Sequence, residues 1–220
     1  VHVLVLAKTP VAGRVKTRLC PPCTPAEAAE VAAAALADTL AAVAACGAAR
    51  RVLALEGAPG PWIPPGFEVV AQRGDGLAER LGAAWSDAAS PGLQIGMDTP
   101  QVTATLLDGS LARLDEVMSG RTGAGDVAVL GPALDGGWWS IGLSRADPVV
   151  FAGVPMSSPD TGRAQRARLA ELGWDVSDLP TLRDIDTVAD LHAVALSIPE
   201  SRTAAVAARL LAAQDGGMAP

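Results

Sequence analysis

Four cationic side chains, Lys8, Arg14, Lys16 and Arg18, precede Glu27, the first acidic residue of the chain. Lys8 and Lys16 are the only lysines in 220 residues. They follow the apolar run Leu4-Val5-Leu6-Ala7, with Gly13 among them. Cations on one loop, beside a glycine that permits close backbone approach, can surround polyphosphate oxygens. The competing reading is a solvated loop with incidental charge. The spacing matches neither the Walker A pattern nor the Gly-x-Gly-x-x-Gly fingerprint.

Carboxylates supply the second half of such a site. Asp98 ends the apolar stretch Leu93–Met97. A carboxylate there can hold a hard divalent cation that also grips phosphate oxygens, although Asp98 or Thr99 can equally cap a helix opened by Pro100. In Arg183-Asp184-Ile185-Asp186-Thr187, a cap formed by Thr187 and Asp190 leaves Asp184 and Asp186 unexplained. Asp186 is favoured as the second metal ligand, against a plain turn role. Gly74-Asp75-Gly76-Leu77 can wrap a nucleobase or ribose with Arg80 behind it, or form an ordinary turn. Asp135-Gly136-Gly137-Trp138-Trp139 can orient a sugar or other acceptor through Asp135 and cover it with Trp138, or turn into core rings. His2 and His192 have no partner pattern that suggests a Ser-His-Asp arrangement. Cys20-Pro21-Pro22-Cys23 has redox spacing, but two prolines precede Cys23 and no second cysteine pair completes a zinc set, so bland cysteines are expected.

The elements that must position these residues follow from pattern. Val3–Leu6 reads as a strand buried on both faces. Thr24-Pro25-Ala26-Glu27 opens an alanine-rich helix that runs to about Cys46. Strands are expected at Arg51–Glu56, Phe67–Ala71, Leu93–Met97, Asp126–Leu130 and Trp138–Leu143. Helices are expected after the Gly74-Asp75-Gly76 break through Ala89, from Val102 to Met118 and from Pro159 to Leu172, with a final strand at Trp174–Leu179 and closing helices at Thr187–Leu196 and Glu200–Ala213. Gly120–Gly125 reads as a loop. The alternation predicts an α/β three-layer sandwich with a mostly parallel sheet, interrupted after residue 131 by a small mixed-strand insertion that carries the second substrate. One catalytic domain, 1–213, is expected, with a nucleotide-binding half to about 130, an acceptor portion at 131–182, a closing segment at 183–213 and a flexible tail at 214–220.

The net charge of −7 disfavours a nucleic-acid polymer as partner. No apolar run reaches the roughly 18 residues of a spanning helix, and the start is too short for a signal segment, so a cytoplasmic protein without membrane insertion is expected.

Five segments together resemble a family of bacterial glycosyltransferases with a nucleotide-diphosphosugar-transferase fold, some linked to arsenosugar biosynthesis. They are Ala7-Lys8-Thr9-Pro10 with Gly13-Arg14-Val15-Lys16-Thr17-Arg18-Leu19, Gly74 to Leu81, Gly96-Met97-Asp98-Thr99-Pro100, Asp135-Gly136-Gly137-Trp138 to Leu143, and Leu182 to Thr187 with Asp190-Leu191. The resemblance implies a Rossmann-like GT-A sandwich in which an acid at Asp98 holds Mg2+ or Mn2+ against nucleotide phosphates. Two departures lie on the acceptor side. Trp138 replaces the usual Tyr, and Met156, before Ser157-Ser158, stands where a Trp is expected.

Lys16-Thr17-Arg18-Leu19 also resembles the amino-terminal loop of phospholactate guanylyltransferases. Four cations after the first strand suit a departing pyrophosphate better than a protected sugar. The expectation is therefore a metal-dependent nucleotidyltransferase moving a nucleotidyl group from a nucleoside triphosphate to a small anionic acceptor. Lys8, Lys16, Asp98 and Asp135 would be catalytic. Gly13, Arg14, Lys16, Arg18, Gly74, Asp75, Gly76 and Leu77 would bind nucleotide, and Asp98 and Asp186 the metal. Transfer from a nucleotide sugar to a sugar-like acceptor, and nucleotide binding without turnover, are the alternatives.

Overall fold

A computed structural model describes residues 1–120 and 125–216, with side chains to residue 212. Residues 121–124 of the expected Gly120–Gly125 loop and 217–220 of the expected tail lie outside the described residues. The first strand, β1 (His2–Lys8), is apolar without alternation because both of its faces are covered. Val3, Val5 and Ala7 enter one core, while Leu4 enters the other. The same division recurs in β5 (Val127–Pro132), where Val127 and Val129 face one side and Ala128 and Leu130 the other.

The remaining strands are β2 (Arg50–Glu56), β3 (Phe67–Ala71), β4 (Gly92–Ile95), β6 (Trp138–Leu143) and β7 (Asp175–Asp178). All seven form one sheet in the order β3-β2-β1-β4-β6-β5-β7. Every pairing is parallel except those of β6, which runs antiparallel to β4 and β5. The small insertion expected after residue 131 therefore does not form. Trp138–Leu143 is apolar throughout because it is an interior strand of the main sheet, paired on both edges.

Helices α1 (Pro25–Ala45) and α3 (Ala104–Ser119) cover one face, and α2 (Leu77–Ala88) and α4 (Thr161–Glu171) the other. The outcome is the three-layer α/β sandwich that the alternation of elements implied. α5 (Val188–Ser197) and α6 (Arg202–Gly216) pack outside α1 around Leu191, Val194, Ala207 and Leu210. α6 extends through residues 214–216, so the start of the expected tail is helical.

Local chemistry sets the helix starts. Thr24 and Glu27 form a reciprocal capping box before Pro25, and Thr187 and Asp190 form another before α5. The cap of α3 is Thr103, whose hydroxyl accepts from the Leu106 N–H at 3.1 Å. Asp98 and Thr99 are thereby released from any capping duty. By length and composition α1 is apolar enough to cross a membrane. Its Val31, Leu36, Leu40 and Val43 instead lie buried in the protein's cores.

His2 is wholly buried at the start of β1, hydrogen-bonded to Ser90 Oγ at 2.9 Å and edge-on to Trp85 at 5.3 Å. Burial, and then the charge of Arg50, lower its pKa from 6.5 to about 4. Above pH 6.5 His2 is neutral whether folded or unfolded and has no linkage effect. As pH falls from 6.5 toward 4, the unfolded chain takes up a proton that folded His2 refuses, so stability is lost by up to about 3 kcal/mol. We expect the stability difference between wild type and His2→Gln to move by that order over this window in denaturant titrations. A pH-independent difference would refute it.

Candidate active site

At β1 the strand order changes direction, with β2 on one side and β4 on the other. The carboxyl ends of β1 and β4 therefore open a crevice of the kind that holds ligands in α/β sheets. A cavity of about 810 Å³ lies there. Lys8, Arg14, Lys16 and Arg18 line it, as do Asp75, Leu77, Asp98, Asp135, Asp184 and Asp186. Gly13, Gly74 and Gly76 are not among its lining residues.

Two loops from opposite ends of the chain meet in this cavity. Leu19 is wholly buried and shares a cluster with Ile185 and Leu191. The Ile185 N–H donates to the Asp98 carbonyl at 2.9 Å, and the Leu182 N–H to the Pro132 carbonyl at 3.1 Å. The acidic segment is thus sewn to the ends of β4 and β5. Leu19 brings the basic loop with it.

Lys16 is the focus of the charges. Its side chain is only 7% exposed, with Nζ 2.5 Å from Asp98 Oδ1 and 3.7 Å from Asp186 Oδ1. Nζ also donates to the Ile185 carbonyl. The backbone of Lys16 is left-handed, at φ 48°, which costs a non-glycine residue about 1 kcal/mol. Arg18 reaches Asp186 Oδ2 at 2.6 Å. Both oxygens of Asp186 thus face cations.

Asp184 differs. Its Oδ1 is buried without a hydrogen-bond partner among the described residues. Burial first, then the charges of Asp98 and Asp135, raise its pKa to about 7. A divalent ion fits this donor set. It would meet the unpartnered oxygen and relieve the repulsion from Asp98, and Mg2+ uses one or two carboxylates with phosphates and waters completing its shell. No group of three or more metal-ligating side chains is gathered among the described residues, so the protein would supply at most two carboxylates. Sequence reasoning left Asp184 open because spacing does not reveal which of two acids is already paired.

Lys8 lies toward the other wall. It pairs with Glu56 at 3.2 Å, and Arg80 pairs with the same carboxylate. Burial pushes the Glu56 carboxyl up, but these two cations outweigh it and hold the group below its ordinary range. Arg80 Nε also donates to the Gly74 carbonyl at 3.2 Å, which fixes the Gly74–Leu77 turn. Gln72 gives both amide hydrogens to main chain, at 2.7 Å to Ala7 and 3.0 Å to Ala54. Sequence reading missed Glu56 and Gln72. The place of Glu56 at a strand's carboxyl end was the available signal.

Asp135, Trp138 and Met156–Pro159 form the far wall. Trp138 is half-buried and tilted against Phe151 at 6.5 Å, whereas Trp139 is in the core and donates to the Pro180 carbonyl at 2.8 Å. The bland reading holds for Trp139, and Trp138 keeps a face on the cavity. Cys20, Cys23 and Cys46 are free thiols, with Cys23 in the Leu19 cluster.

A family model described as "Uncharacterized protein conserved in bacteria (DUF2064)" matches residues 28–158. The chain belongs to the DUF2064 family. Its match includes Asp75, Asp98 and Asp135 but neither the basic loop nor the Asp184–Asp186 segment. No curated protein matches this DUF2064 chain. Among solved structures, a protein of Desulfovibrio desulfuricans G20, provisionally named a nucleotide-diphospho-sugar transferase, is 26% identical with a TM-score of 0.81, over 96% of this chain and 95% of that one. A CMP:2-keto-3-deoxy-manno-octonic acid synthetase complexed with CTP is 14% identical, TM-score 0.52, over 90% and 99% of the two chains. The DUF2064 chain thus has the nucleotide-diphospho-sugar transferase fold that the five segments implied.

Gly136 makes the far wall. It has φ +91°, a Cβ there would stand 2.0 Å from the Pro159 carbonyl oxygen, and its own carbonyl accepts from the Gly162 N–H at 2.8 Å. Gly153 has φ +77° with open space around it. Gly136→Ala should cost about 3 kcal/mol, from left-handed strain plus overpacking, and Gly153→Ala about 1 kcal/mol. Equal melting temperatures for the two variants would overturn that ranking.

Proposed function

We propose that this protein transfers a nucleotidyl group from a nucleoside triphosphate to a small acceptor, releasing pyrophosphate. The observation that carries this reading is the meeting of Arg14, Lys16 and Arg18 with Asp98 and Asp184 in one cavity at the ends of β1 and β4. Preorganised cations of this kind stabilise charge that develops on a leaving group.

In the proposed reaction the base and ribose lie along Gln72, Asp75 and Leu77, with Arg80 and Glu56 bracing the turn behind them. Arg14, Lys16 and Arg18 hold the β- and γ-phosphates. An acceptor oxygen attacks the α-phosphorus in line, the bond from that phosphorus to the bridging oxygen breaks, and pyrophosphate leaves toward the three cations. Asp98 and Asp184 would hold Mg2+ or Mn2+, which supplies further neutralisation of phosphate charge when bound. Asp186 is better suited to orienting Arg18 and Lys16. Lys8 would have to leave Glu56 to reach a reacting phosphate, so a binding role suits it better than a catalytic one.

The acceptor rests against Asp135, Trp138 and Met156–Ser158. No Lys or Arg of the 131–182 portion lines the cavity among the described residues. An anionic acceptor would therefore share the loop cations and the metal ion.

Sugar transfer from a nucleotide sugar is the second reading, favoured by the likeness to the D. desulfuricans structure. Asp135 would then orient an acceptor hydroxyl.

Purified protein incubated with each nucleoside triphosphate, Mg2+ and an acceptor panel should release pyrophosphate only when an acceptor is present. Release of nucleoside diphosphate from nucleotide sugars, without pyrophosphate, would replace this reading with the second. Binding without any product would leave a nucleotide-binding protein. Lys16→Ala and Asp98→Asn should each lower kcat/KM by about 100-fold or more, whereas Arg209→Ala, on α6 and outside the cavity lining, should leave it unchanged.

A further inference from the structure

We propose that Lys16 is a resident counter-cation which makes divalent-ion binding conditional on a phosphate-bearing ligand. This rests on the reading that Asp98 and Asp184 hold the ion. Asp98 is shared: its Oδ1 is already in contact with the Lys16 ammonium at 2.5 Å. That ammonium is no surface charge free to swing aside. Its side chain is 7% exposed, the Ile185 carbonyl also accepts from it, and its backbone is held in a turn by the Leu19 N–H to Lys16 carbonyl bond at 3.0 Å.

A divalent ion arriving alone must either sit beside this ammonium or force it out of a nearly closed site. The first outcome juxtaposes like charges. The second strips an ammonium of Asp98, the Ile185 carbonyl and the more distant Asp186 with no replacement. A phosphate changes the balance, because it offers Lys16 a new anionic partner beside Arg14 and Arg18. Once Lys16 turns to the phosphate, Asp98 is released to the ion. The two ligands then bind with positive coupling, and by linkage the coupling must be equal in both directions.

Mn2+ binding followed by water-proton relaxation enhancement, with inorganic phosphate as the second probe, tests this without turnover. Wild type should bind Mn2+ at least ten-fold more tightly when phosphate is present. Lys16→Met should bind Mn2+ alone at least ten-fold more tightly than wild type does, and phosphate should add less to it than to wild type. The inference is overturned if Lys16→Met binds Mn2+ no tighter than wild type, or if phosphate leaves wild-type Mn2+ affinity unchanged.

Should Lys16→Met not fold, the wild-type chain decides. It has only two lysines, so selective 13C-lysine labelling gives a resolved Lys16 signal. That signal should stay in place with Mg2+ alone and move with phosphate. Movement with Mg2+ alone, or none with phosphate, refutes the role. If wild type binds Mn2+ and phosphate independently, only this inference falls. If it binds neither, the transfer reading falls with it.

Discussion

The architecture depends on one electrostatic constraint: cations from the first twenty residues and acids from positions 98, 135, 184 and 186 share a single partly desolvated cavity. Its most buried members, Lys16 and Asp184, depend most on opposite charge nearby. Lys16 is nearly buried and requires a carboxylate, while Asp184 already has its pKa raised by burial and by its acidic neighbours. The contact between Lys16 and Asp98 offsets part of both penalties. Apolar packing of Leu19 with Ile185 holds the participating loops in place, because a charge pair near water would fix them weakly.

That arrangement in turn requires the sheet. Parallel β1, β2 and β4 send their carboxyl ends to one side, so residues far apart in sequence emerge onto the same rim. The antiparallel β6 does the opposite. Its amino end lies on that rim, which is why Asp135 to Trp138 can enter the site from a turn that precedes a strand. Gly136 and Gly162 let this turn touch the start of α4 backbone to backbone. The far wall is therefore built from a glycine contact, and the near wall from salt bridges.

Two binding environments result. The wall near β1 and α2 is rich in cations but partly self-neutralised, since Glu56 serves both Lys8 and Arg80. The wall near Trp138 and Met156 is more apolar, with Asp135 as its acidic residue. The likeness to the synthetase complexed with CTP, at 14% identity, speaks for the fold alone.

Much of this was legible in the chain. Uninterrupted apolar runs marked strands covered on both faces, Thr24 and Thr187 marked helix starts, and the early cluster of cations marked a loop that lines the cavity, because each signal is local and depends on neighbours within a few residues. The alternative of a cap at Asp98 or Thr99 falls away, since Pro100 imitates a helix start that Thr103 in fact provides. The strand at 138–143 was recognised but not its place, because pairing partners and strand direction are properties of the whole sheet. Likewise the residue types of the site were evident, whereas the partners were not. Only the tertiary structure decided that Asp186 is engaged by Arg18 and Lys16 while Asp184 keeps an oxygen unpartnered among the described residues, for both acids line the same cavity around the buried Ile185 and which of them meets a cation depends on a loop 168 residues away in the chain.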